Sequence, residues 1–264
     1  MSQLSDRARI MPSSFDDGWV LEIDGDIQSH VDLHDPGLIR FEYLRRIGNV
    51  IDFCWPPADP LRCLHLGAGA LTLARYVQVR RPGSHQTVIE LDPDLIDFVT
   101  SELPLPTGTH LEVIIGDARA TLQDLKDQTF DVVIVDIFTG HDTLPHLSEP
   151  GFYQDALARL SACGVLLVNI GDDEGLEFFK HQAQLLHHTA HAAQCGGAWT
   201  LADASTLERN SAGNAVLATG PGLPTDLREL EVLRSRLASA GPYPAAVLSP
   251  SETLSMTKIS PDDE

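Results

Sequence analysis

The chain has 264 residues, 43% of them hydrophobic, with 38 acidic against 18 basic side chains and a formal net charge of −20. That length suits one large domain, or one domain with a small appendage, and the negative field disfavours nucleic acid and anionic membrane surfaces as partners while attracting cations. No apolar run approaches the roughly 20 residues of a bilayer span, the first residues lack the apolar core of a signal peptide, and Cys54, Cys63, Cys163 and Cys195 form no CxxC pair, so a cytoplasmic protein with reduced thiols is expected, Cys63 and Cys163 buried beside apolar runs.

In chain order, residues 1–17 are polar and predict a frayed end. Two short apolar runs, Trp19–Ile23 and Ile27–Val31, flank Asp24-Gly25, a hairpin turn signal. Leu38, Phe41, Leu44, Ile47 and Ile51 recur at helical spacing. Trp55-Pro56-Pro57-Ala58-Asp59-Pro60 then breaks the chain, which sets off a small unit over 18–60 from a larger domain over 61–245. Strands are predicted at 62–67, 87–92, 111–117, 131–137 and 164–170, with helices at about 70–80, 93–101, 118–126 and 150–161 between them. A helix at about 174–194, strands at 198–204 and 214–220 and a helix at about 225–240 follow, and a tail over 246–264 reads as disordered. Short apolar β-branched runs without alternation, each followed by a helix, predict a parallel sheet covered on both faces.

In such a sheet ligands bind beyond the carboxyl ends of the strands, near the point where strand order reverses. The first predicted strand runs into Gly67-Ala68-Gly69-Ala70-Leu71, where glycines let the backbone turn and approach a ligand; a tight strand-to-helix turn would need them equally. The dinucleotide pattern GxGxxG is incomplete, because Thr72 stands third. The second strand ends in Glu90-Leu91-Asp92-Pro93, so Glu90 suits ribose hydroxyls while Asp92 caps a helix from Pro93. The third ends in Gly116-Asp117-Ala118, where the acid either meets an adenine amino group or caps the next helix, and the fourth ends in Asp136. Acids closing three consecutive strands after a glycine loop point to a nucleoside ligand more sharply than any one of them.

With these residues assembled, the chain resembles the spermidine synthases, the polyamine aminopropyltransferases. Ile23-Asp24-Gly25-Asp26-Ile27-Gln28-Ser29 resembles that family's hairpin "L-D-G-x-x-Q", Phe41-Glu42-Tyr43 its "Y-H-E"-type segment, Glu90-Leu91-Asp92 its "E-[IL]-D", Gly116-Asp117-Ala118 its "G-D-A", and Leu147-Ser148-Glu149-Pro150-Gly151-Phe152-Tyr153 its "L-[FY]-[ST]-x-E-F-Y". The resemblance implies a Rossmann-like class I S-adenosylmethionine-methyltransferase fold: a seven-stranded, mostly parallel sheet whose last strand runs antiparallel, preceded by a small N-terminal β-hairpin unit. It implies aminopropyl transfer from decarboxylated S-adenosylmethionine to a small cationic polyamine, without a metal. Gln28, Gly67, Gly69, Glu90, Asp117 and Ala118 would hold the nucleoside, Tyr43 the amine, and Asp136 would accept the proton; for Tyr43 a core position on its helix is the competing expectation. A homodimer is left open.

The departures are specific. The family's glycine loop "G-G-G-D-G" here has Ala70 in place of its acid, and its "D-x-x-D-P" loop reads Asp136-Ile137-Phe138-Thr139-Gly140, without the second acid. Asp26, Asp32, Asp35, Asp142 and Asp172 are the candidates to compensate. Loss of the acid at Ala70 favours an alternative, methyl transfer from S-adenosylmethionine itself; a non-catalytic nucleoside-binding module is a third reading. His30, His34, His141 and His146 match no common zinc spacing, and His187, His188 and His191 read as a solvated helix face.

Overall fold

The computed structural model describes residues 7–139 and 145–258, except the side chains of residues 138 and 139. The first unit is an antiparallel sheet of β1 (Ala8–Pro12), β2 (Trp19–Ile23) and β3 (Asp26–Val31), in that order. Asp24 and Gly25, at φ 54° and 94°, form the β2–β3 turn, a conformation that suits an Asp-Gly pair. The hairpin therefore has a third strand where the sequence suggested a frayed end. Residues 8–12 pair with β2 from Ala8↔Ile23 to Pro12↔Trp19, and Ala8 and Ile10 pack beside Leu21, Val31 and Leu95. Only the partner strand identifies so short a segment.

Helix α1 (Glu42–Cys54) follows, starting later than the apolar spacing suggests and leaving Leu38 part-exposed. The main sheet contains β4 (Arg62–Leu66), β5 (His85–Glu90), β6 (His110–Ile115), β7 (Phe130–Thr139), β8 (Leu160–Asp172), β9 (Trp199–Asp203), β10 (Gly213–Thr219) and β11 (Ala245–Leu248), in the spatial order β11-β9-β10-β8-β7-β4-β5-β6. The seven expected strands are all present, β10 runs antiparallel between β8 and β9 as expected, and β4 lies beside β7 in register Cys63↔Val132. The difference is an eighth strand, β11, paired antiparallel to β9. After it, Ser249 caps α9 (Pro250–Met256) in a capping box with Glu252, and the Thr253 hydroxyl donates to Thr200 Oγ1 at 3.0 Å. The stretch read as a disordered tail is thus structured through residue 258, its docking set by non-local pairing and by a capping signal that composition hid.

Both faces of the sheet are covered. Leu64, Leu66, Val133, Val135, Leu166 and Val168 face α4 (Ala118–Asp124), α5 (Pro150–Leu157) and α6 (Glu177–Ala192). Their strand neighbours Cys63, Val132, Ile134, Val165 and Leu167 face α1, α2 (Thr72–Arg80) and α8 (Leu227–Ala240). Two buried faces explain the unbroken apolar runs. Cys163, expected to be buried, is exposed instead: it sits in the first residues of β8, before the strand enters the core at Val165.

Arg75 of α2 is 1% exposed and joins the glycine loop to α3 (Leu95–Glu102). It donates to the carbonyl oxygens of Ala70 (3.1 Å), Pro104 (2.7 Å) and Leu103. Arg75→Met keeps much of the aliphatic volume but leaves three carbonyls without this donor. Because a hydrogen bond to a charged group is worth about 1.5–3 kcal/mol, chemical denaturation should show a loss of roughly 3 kcal/mol or more. An unchanged unfolding midpoint and slope would show that the guanidinium does not hold this junction.

Candidate active site

The site lies at the reversal of strand order, where β4 pairs with β5 on one side and β7 on the other. Gly67 leaves β4 at φ 94°, and a Cβ there would stand 2.5 Å from the Asp136 carbonyl oxygen. Gly69, at φ 48°, lies under the N-terminal sheet, and its Cβ would meet Ser29 Oγ at 2.5 Å. The same Ser29 Oγ accepts the Ala70 N–H at 3.0 Å, and Thr72 Oγ1 donates to the His30 carbonyl at 3.0 Å. Thr72, which breaks the dinucleotide pattern, thus ties the glycine loop to β3.

Glu90, the last residue of β5, accepts the Ala68 N–H on Oε2 (3.0 Å) and the Asp92 N–H on Oε1 (2.9 Å). Each oxygen retains a lone pair, so the carboxylate holds the glycine loop and can still accept from ribose hydroxyls. Asp92 does not cap a helix from Pro93: α3 begins at Leu95 with Asp94 as its N-cap, and Asp92 Oδ1 accepts the Asp94 N–H at 3.0 Å. Asp117 is the N-cap of α4, its Oδ1 accepting the Ala120 N–H at 3.0 Å, while Oδ2 meets His146 Nε2 at 2.8 Å. Burial pushes the Asp117 carboxyl up, but the Ala120 N–H and His146 outweigh it and leave it below its ordinary range.

A cleft of about 1070 Å³ gathers Gln28, Tyr43, Gly67, Gly69, Glu90 and Asp136. Asp117 and Ala118 lie at the next strand end, outside its lining. Asp136 stands at a bulge: the β7–β8 register passes from Val135↔Val168 to Phe138↔Ile170, placing one extra residue on β7. Bulges re-aim side chains beside functional sites. Asp136 faces the α1 side, where Asn169 Nδ2 donates to its Oδ1 at 2.8 Å. Burial raises the Asp136 carboxyl above its ordinary range, and the Asn169 bond partly offsets that rise. Tyr43 packs against the core beneath α1, as the core expectation has it, and also lines the cleft. Its phenol is raised by burial first and by the Asp136 charge second, which keeps it a neutral donor.

Ala70 is fully buried with Leu21, Val31, Leu95 and Val99, so this position offers no counter-charge to a ligand. Asp26, Asp32, Asp35 and Asp172 do not line the cleft, and Asp172 instead accepts the N–H groups of Asp173 and Phe179. Gly140, His141 and Asp142 lie outside the described residues. The acids that join Glu90 and Asp136 along the lining are Glu42 and Asp203, with Arg40 and Arg46 nearby. Arg46 donates to Glu42 Oε2 at 3.0 Å and to the Pro242 carbonyl at 3.2 Å. Phe15 reaches the cleft from the β1–β2 loop, with the Arg40 guanidinium 4.7 Å from its ring centre. That loop is held by Asp16, which contacts His30 Nε2 at 2.8 Å and Arg40 at 3.2 Å. Sequence reasoning missed Asn169, Glu42, Arg46 and Asp203. A polar residue closing the apolar run GVLLVNI was the one visible sign of Asn169.

A parallel sheet wound on both faces, with a glycine-lined cleft at its switch point and acids at successive strand ends, defines a protein of the class I S-adenosylmethionine-methyltransferase fold. Within that class the chain belongs to the spermine/spermidine synthase domain family, whose model matches residues 41–174. It is 27% identical over 144 residues to a polyamine aminopropyltransferase of Neisseria meningitidis, covering 54% of each chain. The chain thus spans about half the length of the curated relatives it matches. A probable spermidine synthase from Corynebacterium glutamicum superposes with a TM-score of 0.79 at 26% identity, over 95% of this chain and 90% of that one. A spermidine synthase in complex with the transition-state analogue AdoDATO shares the fold, with a TM-score of 0.58 at 17% identity over 92% of this chain and 85% of that one. Among the described residues no helix is long and apolar enough to cross a membrane.

Proposed function

We propose that the protein transfers an aminopropyl group from decarboxylated S-adenosylmethionine to a small cationic amine of the polyamine type, in the cytoplasm. The observation that supports this most is the meeting of Asp136 and Tyr43 with the glycine loop and Glu90 in one cleft. In this reading Glu90 holds the ribose, Gln28 closes over the nucleoside, and Asp117 and Ala118 lie toward the adenine. Asp136 takes a proton from the acceptor's ammonium, and the lone pair so freed attacks the methylene carbon attached to the sulfonium. The carbon–sulfur bond breaks with its electron pair going to sulfur, which leaves methylthioadenosine and the alkylated ammonium. The sulfonium is already a good leaving group, so orientation is the protein's main contribution.

Ala70 supports a second reading, methyl transfer from S-adenosylmethionine, because a donor that carries a carboxylate has no use for an acid at that position. Thermal-shift titration with S-adenosylmethionine, its decarboxylated form and methylthioadenosine separates the readings. The aminopropyl reading expects the decarboxylated donor to stabilise most and radiolabelled aminopropyl to reach putrescine or a longer amine. Tight binding of S-adenosylmethionine with no transfer to any amine would remove it. Glu90→Ala should weaken nucleoside binding by about 1–3 kcal/mol through the lost charged acceptor. Calorimetry that finds the same affinity in a folded variant would take Glu90 out of the ligand site.

A further inference from the structure

Asp136 Oδ1 accepts a hydrogen bond from Asn169 Nδ2 at 2.8 Å, and Asn169 is only 4% exposed. An asparagine amide can face either way, and its flip decides whether it offers a donor or an acceptor. Here the ionised Asp136 makes the choice, because a carboxylate only accepts: Asn169 turns Nδ2 toward it, and its Oδ1 is left to accept from Asn214 Nδ2 of β10 at 3.2 Å. Asn214 thus braces Asn169 from the β10 side while the amide donates to Asp136. The three side chains come from adjacent strands β10, β8 and β7, and all lie on the α1 face.

We propose that Asn169, braced by Asn214, is a positioning residue that locks the Asp136 carboxylate in one rotamer, with Oδ1 engaged and Oδ2 left to receive the acceptor amine's proton. The inference rests on the reading of Asp136 as the proton acceptor. A carboxylate that is free to rotate presents either oxygen at varying distance from the amine; one held from the side presents a single oxygen on a fixed axis. The donated hydrogen bond also favours the ionised form, which a base needs, against the burial that opposes it. The other ionisable groups around the cleft are Tyr43, Glu42 and Arg46 from α1, Arg40 before it, Glu90 from β5 and Asp203 from β9. None of these makes a hydrogen bond to Asp136 among the described residues, so Asn169 is its fixed polar partner.

The test reads the carboxyl directly and needs no substrate. Protein labelled with carbon-13 at the aspartate carboxyls is titrated by NMR, with the Asp136 signal assigned by its absence from Asp136→Asn. Asn169→Leu, of nearly the same shape but without a donor, should move the Asp136 midpoint to higher pH. Asn214→Ala, at an exposed position where the fold is safe, should move it the same way by less, because Asn169 loses its second hydrogen bond and holds Asp136 less firmly. Aminopropyl transfer should fall roughly 10-fold or more in Asn169→Leu at neutral pH, with the acid limb of the rate profile displaced upward with the carboxyl midpoint and KM for the donor little changed. An Asp136 midpoint unmoved in both folded variants overturns the proposal even if the wild type is active. A displaced midpoint in a wild-type background that transfers nothing would sustain the locking role of Asn169 and overturn the aminopropyl reading instead.

Discussion

Asp136→Asn is expected to lower aminopropyl transfer by about 10²–10⁴-fold, the usual range for removing a general base, while leaving nucleoside affinity within a few fold. The substitution keeps the shape, and an amide oxygen can still accept the Asn169 N–H, so the change isolates the charge and the proton-accepting capacity. Burial raises the Asp136 carboxyl. A base must be ionised to act, so the wild-type rate should climb with pH through that raised midpoint, and the Asn variant should lose this limb. Stability should move the opposite way. A carboxyl whose folded midpoint lies above its unfolded one destabilises the fold increasingly as pH rises between the two, and by a constant amount beyond. Above the raised midpoint, Asp136→Asn should therefore be at least as stable as the wild type. An active variant with an undiminished rate would remove Asp136 from the proton transfer, and a variant that is both inactive and unfolded would point to a structural role.

The second large effect is expected at Gly67. Its φ of 94° disfavours any side chain, and a Cβ would lie 2.5 Å from the Asp136 carbonyl oxygen and 2.9 Å from Ile137 Cγ2. Backbone strain of about 1–3 kcal/mol and overpacking of about 1–3 kcal/mol combine in Gly67→Ala to a loss of roughly 2–6 kcal/mol. For a chain of this size that corresponds to about 4–24 °C in Tm. Gly83 is the control: its φ is 87°, but the nearest atom to its Cβ would be Pro60 Cγ at 3.8 Å. Gly83→Ala should carry the strain alone, so the difference between the two variants measures the close approach of the loop to β7. Equal losses would mean that the approach is not held. Because the atom in the way belongs to Asp136, Gly67→Ala should also impair transfer in whatever fraction remains folded.

The alternation of apolar runs and helices, the Asp24-Gly25 hairpin, the glycine loop and the strand-end acids were legible in the sequence, because each depends on local signals: apolar period, turn residues and breakers. Seven strands and their helices follow from that pattern, and Gln28, Tyr43, Gly67, Gly69, Glu90 and Asp136 do meet in one cleft. What the sequence left open depends on which strands lie side by side. Strand β1 at one end and β11 with α9 at the other are short segments that gain order only from partners in β2 and β9. Acids that look equivalent at the strand ends separate in the tertiary structure: Asp117 is taken up by the start of α4 and by His146, Glu90 braces the glycine loop, and only Asp136 meets a buried amide. The bulge that turns Asp136, the burial of Ala70 under the hairpin, and the Asn214–Asn169 pairing all arise from register between strands far apart in the chain. Register across non-adjacent strands is set by the whole packed sheet, and no window of sequence contains it.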